Sequence, residues 1–215
     1  MGKAILVFLC FLILGCLQAN SIAWNFFQRS NPNDSVMPDG DEYGNPNVWW
    51  FKYGPAGVSD PSQYQLMTWN SGKWDYPEGT PVHYPDYSLG SNTMHPSQYQ
   101  DAVIQFKSPV SGIFNIQMEL SRYYSLSQGD GFNVYVQKNN TILWSGFNGG
   151  SVNLSNVVLN QNDSIYLRLN NGGSNNEGYD RMNVTTFLLT GVVPEPSSLL
   201  LFLLGFLVYR ASFKK

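Results

Sequence analysis

The sequence predicts an all-β protein, an antiparallel β-sandwich of jelly-roll type, between an N-terminal signal peptide and a short C-terminal hydrophobic helix. Three observations carry this. From residue 101 to 190 apolar and polar residues alternate in short runs, the period of a strand with one face in a core. Clusters of Gly, Asn, Ser and Pro separate the runs and read as turns. No window of the central chain keeps a 3.6-residue apolar period over the length a helix needs.

Residues 1–23 read as the signal peptide. Lys3 is a positive n-region, residues 4–17 an apolar h-region, and Ser21 and Ala23 put small side chains at the two positions a signal peptidase inspects, so cleavage is expected after Ala23. Ile13-Leu14-Gly15-Cys16 offers a weaker, lipoprotein-type alternative in which Cys16 is lipidated. Cys10 and Cys16 both lie in the leader. Cleavage after Ala23 leaves no thiol, which excludes disulfides, thiolate metal sites and cysteine nucleophiles together.

Residues 24–192 form the expected folded domain, long enough to bury one core without staples. It carries eight Lys/Arg against fourteen Asp/Glu and no basic patch, so nucleic acid and anionic lipid are poor partners for it. Charged residues are only 13% of the chain, about half the usual share, while asparagine occurs 22 times. A surface made polar by amides suits hydroxyl-rich ligands and plain solubility equally.

The first half of the domain, to residue 100, reads as short strands in long loops. Val48-Trp49-Trp50-Phe51-Lys52-Tyr53 is a β-favouring run closed by Gly54-Pro55. A second run, 64–69, precedes the turn signal Asn70-Ser71-Gly72. Between 74 and 96 the prolines Pro77, Pro81, Pro85 and Pro96 predict an irregular, packed loop.

In the second half the strands are explicit. Ala102, Ile104 and Phe106 share one face; Phe114, Ile116, Met118 and Leu120 share the next, opposite Asn115, Gln117 and Glu119. Phe132, Val134 and Val136 follow, then a turn at Lys138-Asn139-Asn140 and a return strand whose Ile142 and Trp144 are expected on one inward face. Val152 with Leu154, then Ile165, Leu167 and Leu169, then Val184, Thr186 and Leu188 supply three more rows. The predicted core is Ile104, Phe106, Phe114, Ile116, Val134, Val136, Ile165 and Leu167.

Residues 193–215 end the chain as a knuckle, a greasy run and a basic stop. Pro194-Glu195-Pro196 is non-helical because each proline fixes its own φ and extends the residue before it. Residues 199–209 are apolar but for Gly205, and Arg210, Lys214 and Lys215 follow. A hydrocarbon core roughly 30 Å thick needs about 20 apolar residues, so the run spans only with its flanks tolerated and its lysines snorkelling. As an ordinary anchor it leaves the bulk of the protein outside the cytoplasm. The charged end and the knuckle argue against a glycolipid-anchor signal.

Val193, Pro194, Glu195, Pro196, Ser197 and Ser198, a leucine-rich short helix and terminal Arg/Lys together resemble the PEP-CTERM sorting signal of Gram-negative bacteria that make extracellular polysaccharide. The resemblance implies recognition by exosortase, cutting near the motif, passage through the inner membrane and release or attachment at the cell surface or in the extracellular matrix. Val193, Pro194, Glu195 and Pro196 are then recognised residues, not catalytic ones. Runs such as 102–106, 108–114, 134–136, 162–167 and Gly178-Tyr179-Asp180 resemble, more loosely, jelly-roll modules of secreted bacterial proteins similar to carbohydrate-binding modules. These runs are turn and strand grammar and speak for fold before ligand. A structural calcium often sits at the sandwich edge of such modules, and Asp180 is the position that implies one here; a turn-capping aspartate is the plainer reading.

Groups suited to catalysis are sparse. The two histidines, His83 and His95, sit in proline-rich loop, and Gly-x-Ser-x-Gly is absent. Asp39, Asp41 and Glu42 cluster, and paired carboxylates hydrolyse glycosides at the right separation, although an acidic turn is the simpler account. The loops 37–42 and 128–131 carry oxygens for a cation without EF-hand spacing. Aromatics, at 15% of residues, are the best ligand feature, because sugar rings stack on flat indole and phenol planes. Trp49, Trp50, Trp69 and Trp74 are the candidate binding residues. Neighbours on a strand point to opposite faces, so at most one of Trp49 and Trp50 is core. The expectation is a non-enzymatic, exosortase-sorted surface or matrix protein that binds extracellular polysaccharide. A structural protein without a ligand and a secreted glycoside hydrolase are the alternatives.

Overall fold

The alternation read in the sequence becomes two packed antiparallel sheets. The computed structural model describes residues 19–30, 36–70, 73–75, 87–88, 93–125, 129–172 and 179–194. Its strands are β1 (Ala19–Asn25), β2 (Trp49–Pro55), β3 (Gln65–Leu66), β4 (Thr68–Asn70), β5 (Lys73–Asp75), β6 (Tyr87–Ser88) and β7 (Thr93–Met94) in the first half. The second half supplies β8 (Gln100–Lys107), β9 (Gly112–Arg122), β10 (Asn133–Lys138), β11 (Thr141–Phe147), β12 (Gly149–Leu159), β13 (Ser164–Asn170) and β14 (Met182–Pro194). One sheet runs β1-β14-β9-β12 with β7 beside β14, the other β11-β10-β13-β8-β2-β3, and β4-β5-β6 form a small third sheet. The chain divides into two units, residues 23–190 and residues 1–22 with 191–215. The first is the sandwich; the second is described only at 19–22 and 191–194, both extended. The rest of the leader, Glu195, Pro196, the apolar tail and His83 lie outside the described residues.

β9 shows why the pattern works. Phe114, Ile116 and Met118 are fully buried and Leu120 nearly so, while Asn115, Gln117 and Glu119 face solvent. Ile104, Phe106, Val134, Val136, Ile165 and Leu167 are likewise fully buried, which bears out the predicted core. Trp24, Phe26, Trp49 and Phe187 complete it. Trp24 lies 5.3 Å from Phe106 and 5.4 Å from Phe114 between ring centroids, and Trp49 lies 5.0 Å from Phe106 and 5.3 Å from Phe187.

Three expectations about faces are corrected. Trp144 and Ile142 do not share an inward face: a bulge sets Trp144 opposite Val136 and Ile142 opposite Gln137, and because β11 is an edge strand Trp144 stays half-buried and Ile142 exposed. In β14 the inward row moves by one residue, from Met182 and Val184 to Phe187 and Leu189, leaving Thr186 and Leu188 half-covered. Phe187 brings the larger apolar surface and stacks 6.1 Å from Phe26. Strands β8 and β13 are buried on both faces, not one. The segment 56–67 crosses the outer face of their sheet and packs Tyr64 against Val103 and Tyr166. Tyr64 Oη donates to Val58 O at 3.0 Å, Gln137 Nε2 donates to Ser59 O at 3.0 Å, and a side chain at Gly54 would collide with the Tyr64 ring.

Candidate functional site

Three chain crossings meet at one end of the sandwich. β9 ends at Arg122, β11 passes to β12 through the single residue Asn148, and β14 starts after Arg181. Asn148 takes a left-handed φ of 61° and its Oδ1 accepts from Arg122 Nη1 at 3.1 Å and from the Phe132 amide at 3.2 Å. Tyr123 N donates to Arg181 O at 2.8 Å, which joins the first and third crossings. Gly131 has φ 102°, and a Cβ there would lie 2.5 Å from both Phe147 Cζ and Asn148 Oδ1, so only glycine fits.

These crossings present rings. Tyr123 and Tyr124 meet edge to face at 4.9 Å between centroids, and Tyr124 meets Tyr179 in the same manner at 5.4 Å. Tyr123 is 51% exposed, Tyr179 40% and Phe147 58%. The Arg181 guanidinium lies 5.1 Å from the Tyr123 centroid and 6.0 Å from that of Tyr124, which stiffens the cluster. Partly exposed phenol rings with a hydroxyl at the tip offer what a pyranose needs: a flat apolar surface beside a hydrogen-bonding group.

The tryptophans expected to do this work are placed differently. Trp49 is fully buried and Trp74 nearly so, against Phe51 at 5.7 Å, so neither presents the open ring that stacking requires. Trp69, paired with Trp74 across the β4–β5 hairpin, and Trp50, on the outer face of β2, are half-buried. Sequence reasoning missed the tyrosines because it weighed indoles first; the signals available were Tyr123-Tyr124 directly after a clear strand and Tyr179 directly before another.

Asp180 is fully buried and accepts from the Gly131 amide at 3.2 Å, the geometry of a turn cap. Arg122 Nη2 shares the space beside Gly129 with Asp180 Oδ1, a positive charge where a calcium ion would need oxygen. Among the described residues no group of three or more His, Cys, Asp or Glu gathers to hold a metal. Asp39 and Asp41 are structural as well. Asp39 receives Ser30 Oγ at 2.6 Å and its own neighbour Gly40 N at 2.8 Å, and pairs with Arg29 at 3.3 Å. Asp41 accepts Trp24 Nε1 at 2.7 Å, Tyr43 N at 3.0 Å, Asn45 N at 2.8 Å and Asn45 Nδ2 at 2.8 Å. Glu42 is exposed. At the start of the sandwich Ala23 is bonded on both sides to one hydroxyl: its N–H donates to Tyr43 Oη at 3.3 Å and its carbonyl accepts from it at 2.7 Å.

At the other terminus β14 carries Val193 and Pro194 in extended backbone, and residues 192–215 match the PEP-CTERM protein-sorting motif. The chain ends in a PEP-CTERM sorting signal. That motif implies export and processing by exosortase. No curated protein sequence matches the chain. Among solved structures it is similar to the CBM36-1 domain of a multidomain xylanase from the hindgut metagenome of Trinervitermes trinervoides, at 12% identity and TM-score 0.32 over 53% of this chain and 86% of that one. It is also similar to the GH26-CBM35 β-(1,4)-mannanase of Podospora anserina, at 11% identity and TM-score 0.29 over 83% of this chain and 29% of that one, so it spans under a third of that enzyme. Pika GITRL is similar at 15% identity and TM-score 0.27 over 69% of this chain and 97% of that one. With the PEP-CTERM signal at its end, the chain is a sorted β-sandwich.

Proposed function

We propose that this exosortase-sorted β-sandwich binds extracellular polysaccharide through the tyrosine rim, without transforming it. The observation that carries the reading is the mutually braced set Tyr123, Tyr124 and Tyr179 at the convergence of three crossings, with Tyr123 and Tyr179 exposed and Tyr124 half-buried between them. Export brings the domain to the cell surface or matrix, where polysaccharide is the commonest neighbour. Removal of the leader by signal peptidase after Ala23 belongs to the same reading. It precedes closure of the sandwich, since Trp24 is fully buried and Ala23 is hydrogen-bonded through both backbone groups. N-terminal sequencing of the exported protein should read from Trp24.

The binding test is retardation of the full chain, in mild detergent, in native gels containing the polysaccharide its host secretes. Tyr123→Ala and Tyr179→Ala should each weaken retention by about 1 to 3 kcal/mol, the range for an aromatic anchor at an interface. Ile113→Ala, 53% exposed on the outer face of β9, should leave it unchanged. Absence of retention by the unaltered chain hands the case to a structural surface protein, and release of reducing ends hands it to a hydrolase.

A further inference from the structure

At the end of the sandwich opposite the rim, the loop before β2, the β8–β9 turn and the β12–β13 turn enclose an open pocket of about 260 Å³. Asn45, Asn47, Ser108, Gln161 and Asn162 give it polar walls and Lys107 a positive charge. Among the described residues the side-chain amides of Asn47, Gln161 and Asn162 bond to nothing else in the protein. The volume sits just under the roughly 300 to 1,000 Å³ of pockets that hold drug-sized ligands, which is room for one sugar ring.

A second lysine stands within electrostatic reach of Lys107. On the outer face of β2, Lys52 Nζ lies 5.4 Å from the Trp50 ring centroid, and Trp50 Nε1 donates to Asn47 O at 3.3 Å, which ties the indole to the pocket wall. Gln105 is the register partner of Trp50, and Lys107 follows it two residues on, so the two lysines flank one indole. Burial, and then the charge of Lys107, push the Lys52 ammonium below its ordinary pKa. Among the described residues no carboxylate answers these charges. Asp41, next to Asn45, is occupied by Trp24 and Asn45, and Asp163, next to Asn162, by Lys138 at 2.9 Å and Asn139 at 2.9 Å. Among the described residues neither Lys52 nor Lys107 has an ion-pair partner. In a chain with 15 acids and 12 bases, two lysines that repel each other and have no counter-charge among the described residues are a standing electrostatic cost that an anion removes.

We propose that this pocket binds an acidic sugar residue, its carboxylate drawn to Lys107, with Lys52 adding to the positive field, and its hydroxyls to Asn47, Gln161 and Asn162, while Trp50 packs next to the Asn47 wall. A carboxylate only accepts and an ammonium only donates, while hydroxyls and amides do both, so the two halves of such a ligand match the two halves of the site. The inference rests on the polysaccharide-binding reading but not on the rim tyrosines.

The test uses the full chain in mild detergent, in native gels containing polygalacturonate or uncharged dextran, at low and high salt. Polygalacturonate should retard the protein, and salt should weaken the effect. Lys107→Gln and Lys52→Gln should each lower the affinity about tenfold, the scale of a lost hydrogen bond between charged groups, while Lys107→Arg keeps most of it. Tyr123→Ala should leave the Lys107 dependence in place, so failure of the rim and failure of the pocket are told apart. Unchanged affinity in both lysine variants, or no retardation of the unaltered chain, overturns the proposal. So does a Lys107-dependent affinity for phosphatidylglycerol vesicles without one for polygalacturonate, which makes the pocket a membrane contact.

Discussion

Asp41 is an acceptor-only group set among four donors, and its burial is tolerable only because all four are present. Removing it strands the buried Trp24 N–H and loop amides at once. Asp41→Ala should therefore cost about 3 kcal/mol, read as a lowered urea midpoint, while Glu42→Ala next to it stays within about 0.5 kcal/mol. Trp49 asks for the same measurement before any binding assay. With its ring fully buried between Phe106 and Phe187, Trp49→Ala should lose about 3 to 5 kcal/mol of stability, so reduced glycan retention in that variant reports unfolding. An unaltered urea midpoint in Trp49→Ala would contradict the packing described for it.

Between strands, the segment 56–67 acts as a strap over the sheet that contains β8 and β13. Beneath it lies a buried ion pair, Asp101 with Arg168, joined by Asn170 Nδ2 at 2.7 Å and the Gly57 amide at 3.1 Å. Burial pushes the Asp101 carboxyl up, against the pull of Asn170 and Arg168. The strap's own anchor, Tyr64, is pushed up to about 12, chiefly by burial, with Asp101 adding and Arg168 opposing. A phenol whose pKa is raised by folding contributes stability in full below its unfolded value near 10 and loses it as pH rises through the folded value. The protein should thus weaken between about pH 10 and 12, with Tyr64 among the last tyrosines to ionise by absorbance. Tyr64→Phe should cost about 1 kcal/mol at pH 7 through the lost bond to Val58 and remove much of the alkaline slope. If the slope persists unchanged in that variant, the strap is not held by the neutral phenol.

For the whole molecule, address and fold are separable. Changing Pro194, Glu195 and Pro196 together to alanine should abolish the processed form in a host that carries exosortase, seen as a single unshifted band. The urea midpoint of the sandwich should not move, because its unit ends at residue 190. Processing that survives the change reduces the tail to a simple anchor.

What the sequence determined alone was whatever depends on neighbours along the chain. The sorting motif is read from contiguous residues, and the burial of Phe114, Ile116 and Met118 follows from a period of two that no other element satisfies. Tertiary structure decided everything that depends on which face another segment covers. Val103, Tyr166 and Arg168 look outward by alternation, yet the strap 56–67, well upstream of β8, covers them. The bulge opposite Gln137 turned Ile142 away from Trp144, and a one-residue shift in β14 exchanged Leu188 for Phe187. The sequence marks Tyr123-Tyr124 and Tyr179 singly at strand ends, but Tyr123 and Tyr179 are far apart along the chain, and only the meeting of the crossings brings them together through Tyr124. Alternation fixes a residue's side of its own strand; whether that side is core, strap or open ring is set by partners that the local sequence does not contain.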